Sequence, residues 1–331
     1  MTSSDRWNLD RPKRDAFTAE PSAERARNFH THNRAMMLDH FVDALQSAAE
    51  GLKISLDHLL DSIERLDPIE SMSPAAYLRL THLTEALNSG DVTRVMDALQ
   101  AIRRTTHKEF TDSRFRIDSI LSEHWEQIFV DNARQDPVEG LDETQRIMRP
   151  ILETDLSGHL AGINDALDLL RDVDTQLALE FDEIVSRIKL FIGRGYLGLS
   201  SPAAFGAIYI RVPREDPMAY FLEHLVHELS HLYLNTIMIH DPLLKNPMDK
   251  SVSPLREGQR PLYQVLHATF VLGRNVRVSR RVVQNHPELG LERHLEAFET
   301  QYSEGYNAIQ NDAQLTDLGR QFLETMEPMS C

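Results

Sequence analysis

The chemistry of this chain is concentrated in residues 217 to 239, Pro-Met-Ala-Tyr-Phe-Leu-Glu-His-Leu-Val-His-Glu-Leu-Ser-His-Leu-Tyr-Leu-Asn-Thr-Ile-Met-Ile. His227, Glu228 and His231 form a His-Glu-x-x-His motif. On a helix, side chains four apart project from one face about one turn apart, so both imidazoles can reach one metal ion with the glutamate beside them. A random chain of this composition would contain about 0.05 such motifs, so chance is a poor explanation. The surroundings sharpen the reading. Leu222, Leu225, Val226, Leu229, Leu232, Leu234, Ile237 and Met238 make the predicted helix apolar over most of its circumference, which marks it as buried. Its polar exceptions, His224, His227, Glu228, His231 and Asn235, follow at steps of one to four and form one stripe. A stripe of this kind on a buried helix needs a polar partner, and a metal or a water-filled cleft supplies one. Hydrogen-bonded core histidines are the reading that needs no metal. His224 lies on the stripe without the motif spacing, and is expected beside the ligands or in the cleft.

Two histidines need at least one further protein ligand. The metzincin pattern would place Gly three residues and His six residues after His231; those positions hold Leu234 and Ile237. Glu257 lies 26 residues downstream, within Pro254-Leu255-Arg256-Glu257-Gly258-Gln259, which reads as a loop. His240 immediately precedes Asp241-Pro242, where the chain must turn away. His267 is the remaining candidate. It interrupts a second apolar helix that starts near Pro261 and carries Leu262, Val265, Leu266, Phe270, Val271 and Leu272. The ligand set is therefore read as His227, His231 and His267, with Asn235, Tyr263 and Gln264 nearby. The sole cysteine is Cys331, which removes intramolecular disulfides and Cys-rich zinc sites.

The elements that must position these residues follow from the rest of the 331-residue chain. Its formal charge of −16 has the wrong sign for wrapping nucleic acid or lying on an anionic membrane. No apolar run approaches the ~20 residues of a membrane span, and the polar amino terminus does not read as a signal peptide, so a cytoplasmic protein is expected. Residues 1 to 34 read as a loose arm. Helical periodicity predicts a lobe over 35 to 140, with helices near 35–66, 74–87, 91–104 and 116–134. The region from 141 to 331 carries the motif. Within it, a helical pattern spans 142 to 191, and Gly193, Gly195 and Gly198 then change the texture. The β-rich run Phe205 to Val212 predicts a short strand or hairpin before the motif helix. Asp216 and Pro217 are the expected helix start, and closing helices follow Glu288. The predicted class is mainly α (α+β), a helical bundle with a small antiparallel β element beside the metal helix.

The chain resembles a family of bacterial His-Glu-x-x-His proteins associated with peptide modification and regarded as iron(II)- and 2-oxoglutarate-dependent peptide β-hydroxylases. The resemblance spans roughly residues 160 to 285 and rests on three blocks. The first is Ser200-Ser201-Pro202 through Phe205-Gly206-Ala207-Ile208-Tyr209, then Asp216-Pro217 and Leu225 to His231. The second is Asp241-Pro242-Leu243. The third joins Ser253-Pro254-Leu255-Arg256, Arg260-Pro261-Leu262 and Leu266-His267. Leu255 stands where the family has an aromatic, and Gly273-Arg274-Asn275 is more polar than its pattern. The resemblance implies iron(II), 2-oxoglutarate and dioxygen, acting on a side-chain carbon of a peptide, such as a ribosomally made precursor peptide, or of an amino acid. Arg256, Arg260 or Arg274 would grip the distal carboxylate of 2-oxoglutarate, whereas Arg277, Arg280 and Arg281 read as surface charges. Glu228 would then orient a ligand, bind substrate or ligate. Two alternatives stand beside this reading. One is a zincin-type zinc metallopeptidase with Glu228 as general base and Glu257 as third ligand. The other is a non-enzymatic helical interaction protein.

Overall fold

The computed structural model describes residues 12–53, 55, 72–104, 109, 111–112, 114–135, 147–213 and 217–326. The chain is mainly α-helical with some β structure. Three helices lead: α1 (Ala23–Leu52), α2 (Pro74–Ser89) and α3 (Val92–Arg104). Ser22 caps α1 by accepting a hydrogen bond from the Arg25 N–H, and Ser73 caps α2 in the same way from Ala76, with Pro74 in the first turn. Gly90 ends α2 with φ 68°, as the Asn88-Ser89-Gly90 signal predicts. The loose arm expected over 1–34 is corrected from Pro12 onward. Phe17, Ala19, Ala26 and Phe29 are buried in the main core and α1 begins at Ala23. Residues 1–11 of that arm, and nearly all of the stretch past 53 of the helix expected to continue to 66, lie outside the described residues.

The span expected as one helix over 116–134 divides into strand β1 (Arg116–Ser119) and α4 (Glu126–Gln135). The helical pattern read over 142–191 divides further, into β2 (Ile147–Arg149), α5 (Glu153–Val173), α6 (Thr175–Ile184) and β3 (Arg187–Arg194). Then come β4 (Gly198–Ser200) and β5 (Ala207–Arg211), the strand that the sequence predicts. The β element beside the site is mixed as well as antiparallel: β1, β3 and β5 run parallel, β4 closes the edge antiparallel to β5, and β2 pairs antiparallel with the far end of β3. Alternation along β5 divides the core. Ile208 and Ile210 enter the main cluster under the helices, whereas Ala207 and Tyr209 face a second cluster with Trp125 and Phe129.

Helix α7 (Pro217–Met238) carries the motif; the Asp216 cap position lies outside the described residues. After it come a hairpin of β6 (Lys250–Val252) and β7 (Gln259–Pro261), α8 (Leu262–Asn285), and the closing helices α9 (Glu292–Asp312) and α10 (Asp317–Met326). Helix α7 packs between α5, α8 and the sheet edge at β4 and β5. No helix among the described residues is long and apolar enough to cross a membrane.

Candidate metal centre

Burial along α7 follows the predicted stripe in part: His224 and Glu228 are buried, and Met238 joins the open side. Leu225, Val226, Leu229, Leu232, Tyr233, Leu234 and Ile237 are fully buried, while His227, His231, Asn235 and Met238 are only half-buried and form one open line along the helix. Nε2 of His231 lies 3.2 Å from Nε2 of His227, and Nδ1 of His231 lies 3.2 Å from Nδ1 of His267 on α8. The three histidines drawn from the sequence thus stand together, although 36 residues separate His231 from His267. Their geometry is unequal. Two ligand nitrogens at ~2.0–2.1 Å from one metal stand about 3 Å apart, so the Nε2 pair of His227 and His231 suits a shared ion. His267 addresses the opposite nitrogen of His231, and its ring must turn to reach the same ion.

All three rings are held neutral. Burial pushes His227 and His267 down to about 4, and burial, joined by its two histidine neighbours, holds His231 well below its ordinary value. Neutral imidazole is the form that binds metal. It is also the form that can share single protons along the chain His227, His231, His267, and a metal between the two Nε2 atoms would replace one of those shared protons.

Glu228 lies on the adjoining face, under β4. Its Oε2 accepts a hydrogen bond from the Ser200 hydroxyl at 2.7 Å, and a Cβ added to Gly198 would stand 2.2 Å from its Oε1. Only glycine at 198 allows the strand to approach the carboxyl group so closely. Burial pushes the Glu228 carboxyl up to about 8, against the lowering effect of the Ser200 hydrogen bond. His224 stacks on Tyr220 with ring centroids 4.0 Å apart, and its Nδ1–H donates to the Tyr220 carbonyl at 2.9 Å. Asn235 lines a cavity one turn beyond His231. Tyr263 is half-buried and accepts a hydrogen bond from the exposed Gln264 amide at 2.9 Å.

The arginines divide sharply. Arg256 is exposed in the turn of the β6–β7 hairpin, beside the equally exposed Glu257, and Arg260 is half-buried on β7 opposite Ser251. Arg274 is corrected as a cofactor grip. It is fully buried, forms an ion pair with Glu180 on α6, and lies over the rings of Tyr233 and Phe270 at 4.3 and 4.5 Å. Its guanidinium is occupied by the fold. Arg277 and Arg281 are more than surface charges, because both bind the buried Asp174, at 2.5 and 3.0 Å. His240 packs against His32 and Phe29, with ring centroids 5.1 and 5.4 Å away, at the far end of α7.

The sequence reading missed three residues beside the motif. Gly198 and Ser200 hold Glu228; the signal for Gly198 was the glycine punctuation before the strand, and Ser200 opened the first block of the resemblance without being given a role. Arg211, half-buried at the end of β5, places its charge near Tyr220 and His224. A charged residue ending an apolar parallel strand was its signal, since ligand sites gather at the carboxyl ends of such strands. No family model and no curated protein matches the chain.

Proposed function

We propose that this protein is an iron(II)- and 2-oxoglutarate-dependent dioxygenase that hydroxylates a side-chain (β) carbon of a peptide or amino-acid substrate. The observation that carries the reading is the pair of half-buried, neutral Nε2 atoms of His227 and His231 at 3.2 Å, with His267 against the same ring. Such a set binds a divalent ion through nitrogen and leaves positions open for an oxo acid and dioxygen. The iron and 2-oxoglutarate together would supply the oxidising chemistry. The chain's own residues would hold and orient: His227 and His231 as ligands, and His267 as the third after a turn of its ring. Arg260, Arg256 or Arg211 would receive the distal carboxylate, now that Arg274 is committed elsewhere. The position of Glu228 favours this reading over hydrolysis. A general base must reach a metal-bound water, whereas both oxygens of Glu228 are packed under Gly198 and Ser200.

Anaerobic addition of iron(II) and then 2-oxoglutarate tests the reading by the visible charge-transfer absorption of the chelate. The absorption is expected in the parent protein and absent in His227→Ala and His231→Ala; admission of air should then yield succinate. Absence of the absorption at saturating iron and 2-oxoglutarate would reject the reading. Stoichiometric zinc, with peptide hydrolysis lost in Glu228→Gln, would establish the metallopeptidase instead.

A further inference from the structure

One turn beyond His231 the open stripe of α7 runs into a cavity of about 350 Å³. Asn235 of α7 and Ile239 just past its end form its floor, Pro202 to Phe205 one wall, and α1 and α2 the other. The stretch of chain that begins at Gly198, over Glu228, continues directly into that wall, so the histidines and the cavity share two boundaries. Among the described residues no Asp, Glu, Lys or Arg lines the cavity. Its surface is instead aromatic and thioether. The rings of His30 and Phe205 lie 4.7 Å apart and those of Tyr77 and Phe205 5.4 Å apart, while Met36 and Met37 complete the box. His30 Nε2 and the Tyr77 hydroxyl are hydrogen-bonded to each other at 2.9 Å. That bond satisfies the Tyr77 hydroxyl and His30 Nε2 without a ligand and leaves the buried His30 Nδ1 without a hydrogen-bond partner among the described residues.

We infer that this cavity is a specificity pocket for an uncharged aromatic side chain of a peptide substrate, at a position within two residues of the one that reaches the histidines. The inference rests on the functional reading above for the location of the reacting centre. Size supports it: a dry cavity of about 150 Å³ already admits benzene, so this one accommodates a phenyl or phenol ring with room for its attachment. Chemistry supports it, because aromatic rings and methionine sulfur attract a ring at their edges and faces, and a charged side chain would enter without a counter-charge. Distance supplies the spacing. Asn235 is four residues past His231, about 6 Å along the helix axis, and an extended peptide covers that in about two residues at ~3.3 Å each. Asn235 is placed at the junction, where its amide can meet the peptide backbone between the two positions.

The test is NMR titration of the full chain with acetyl-Gly-Gly-Xaa-Gly-Gly-amide peptides in which Xaa is Phe, Ala or Lys. Burial of a phenyl ring should make the Phe peptide bind at least about tenfold tighter than the Ala peptide, with the Lys peptide no better than Ala. Thr81→Trp and Ala203→Leu, two half-buried lining positions, should each fill the box and bring Phe and Ala within about twofold, with circular dichroism confirming the fold. Phe and Ala peptides binding equally to the parent protein would overturn the inference, as would discrimination that survives in either folded filled variant. Cobalt(II) absorption on the same samples separates the two claims. Cobalt bound without aromatic selectivity removes the pocket and leaves the metal centre, and aromatic selectivity without cobalt removes the functional reading while leaving an aromatic pocket.

Discussion

His267 and Arg274 are seven residues apart on one apolar helix, and the chain treats them in opposite ways. Arg274 is completely enclosed, and all of its guanidinium but the unpartnered Nε is used. Glu180 takes the charge, the Ala19 carbonyl accepts another N–H, and two aromatic rings accept its face. His267 stays half-buried, with the imidazole of His231 beside it. Burial pushes the Glu180 carboxyl up even beside Arg274, so desolvation here outweighs attraction and the pair fixes the arrangement of α1, α6, α7 and α8 more than it stabilises them. The difference separates two kinds of buried polar group. One is satisfied by the fold and belongs to it, and the other meets only its own kind and is open to a ligand.

The largest expected effect comes from breaking the satisfied side. Arg274→Leu strands Glu180 without a counter-charge and should cost about 3–5 kcal/mol in urea unfolding. The double variant Arg274→Leu/Glu180→Leu should recover much of that loss, because neither charge is then buried. His267→Ala should cost far less, since a half-open ring leaves little cavity behind. Equal destabilisation by the two single variants would erase the distinction.

The open side should break in binding instead. His227→Ala or His231→Ala should lower cobalt(II) or iron(II) affinity at least about a hundredfold, since loss of a group that merely orients a ligand already costs about 10–100-fold. His267→Ala should lower it by roughly tenfold or more if its ring turns to the ion. Arg274→Lys, checked by circular dichroism, should leave metal affinity unchanged. A metal titration by absorption reads all four.

Gly198 offers a smaller test at the boundary between the two kinds. Gly198→Ala drives a methyl group into the Glu228 carboxyl and should cost about 1–3 kcal/mol. Shortening the acid, in Gly198→Ala/Glu228→Asp, should return part of it. No rescue would mean that the strand itself, rather than the carboxyl group, rejects the side chain.

How far the sequence revealed this arrangement depended on whether the partner of each group was local. The histidine pair was legible because spacing along one helix fixes it, and His267 because the site lacked a third ligand and few histidines sat on apolar faces. Arg274 misled for the complementary reason. Its position on the face of His267 was correct, but Glu180 lies 94 residues away on another helix, and no pattern along the chain points to it. The same limit hid the start of α1. His30, His32, Asn33 and Arg34 are all buried, and a run so polar reads as a loose arm until the tertiary structure covers it. Strand β3 was lost to period. Ile188, Leu190 and Phe191 continue the apolar spacing of α6, and a short apolar run does not by itself distinguish strand from helix.

The finest test uses protons, because the same distinction sets opposite slopes in two histidines outside the metal helix. His286 is exposed and lies between Asp172 at 2.7 Å and Glu288 at 3.3 Å; the hydrogen bonds to these acids raise its pKa. Its contribution to stability is fully present below about 6.5, the unfolded value, and is lost as pH rises through the raised folded value. His30 is buried against Tyr77 and Phe205, and burial, followed by the charge of Arg34, holds it well below 6.5. Its contribution is present above about 6.5 and is lost as pH falls toward its lowered value, because the unfolded chain takes up the proton first. Urea midpoints measured from pH 5 to 8 should therefore fall less steeply on the acid side in His30→Gln, the other buried histidines keeping the rest of that slope, and, more weakly, on the alkaline side in His286→Gln. The His286 effect is the smaller because solvent screens its partners, and added salt should suppress it while leaving the His30 slope in place. If both slopes faded together in salt, His30 would be titrating as an exposed group, and the enclosure of the aromatic box around it would be refuted.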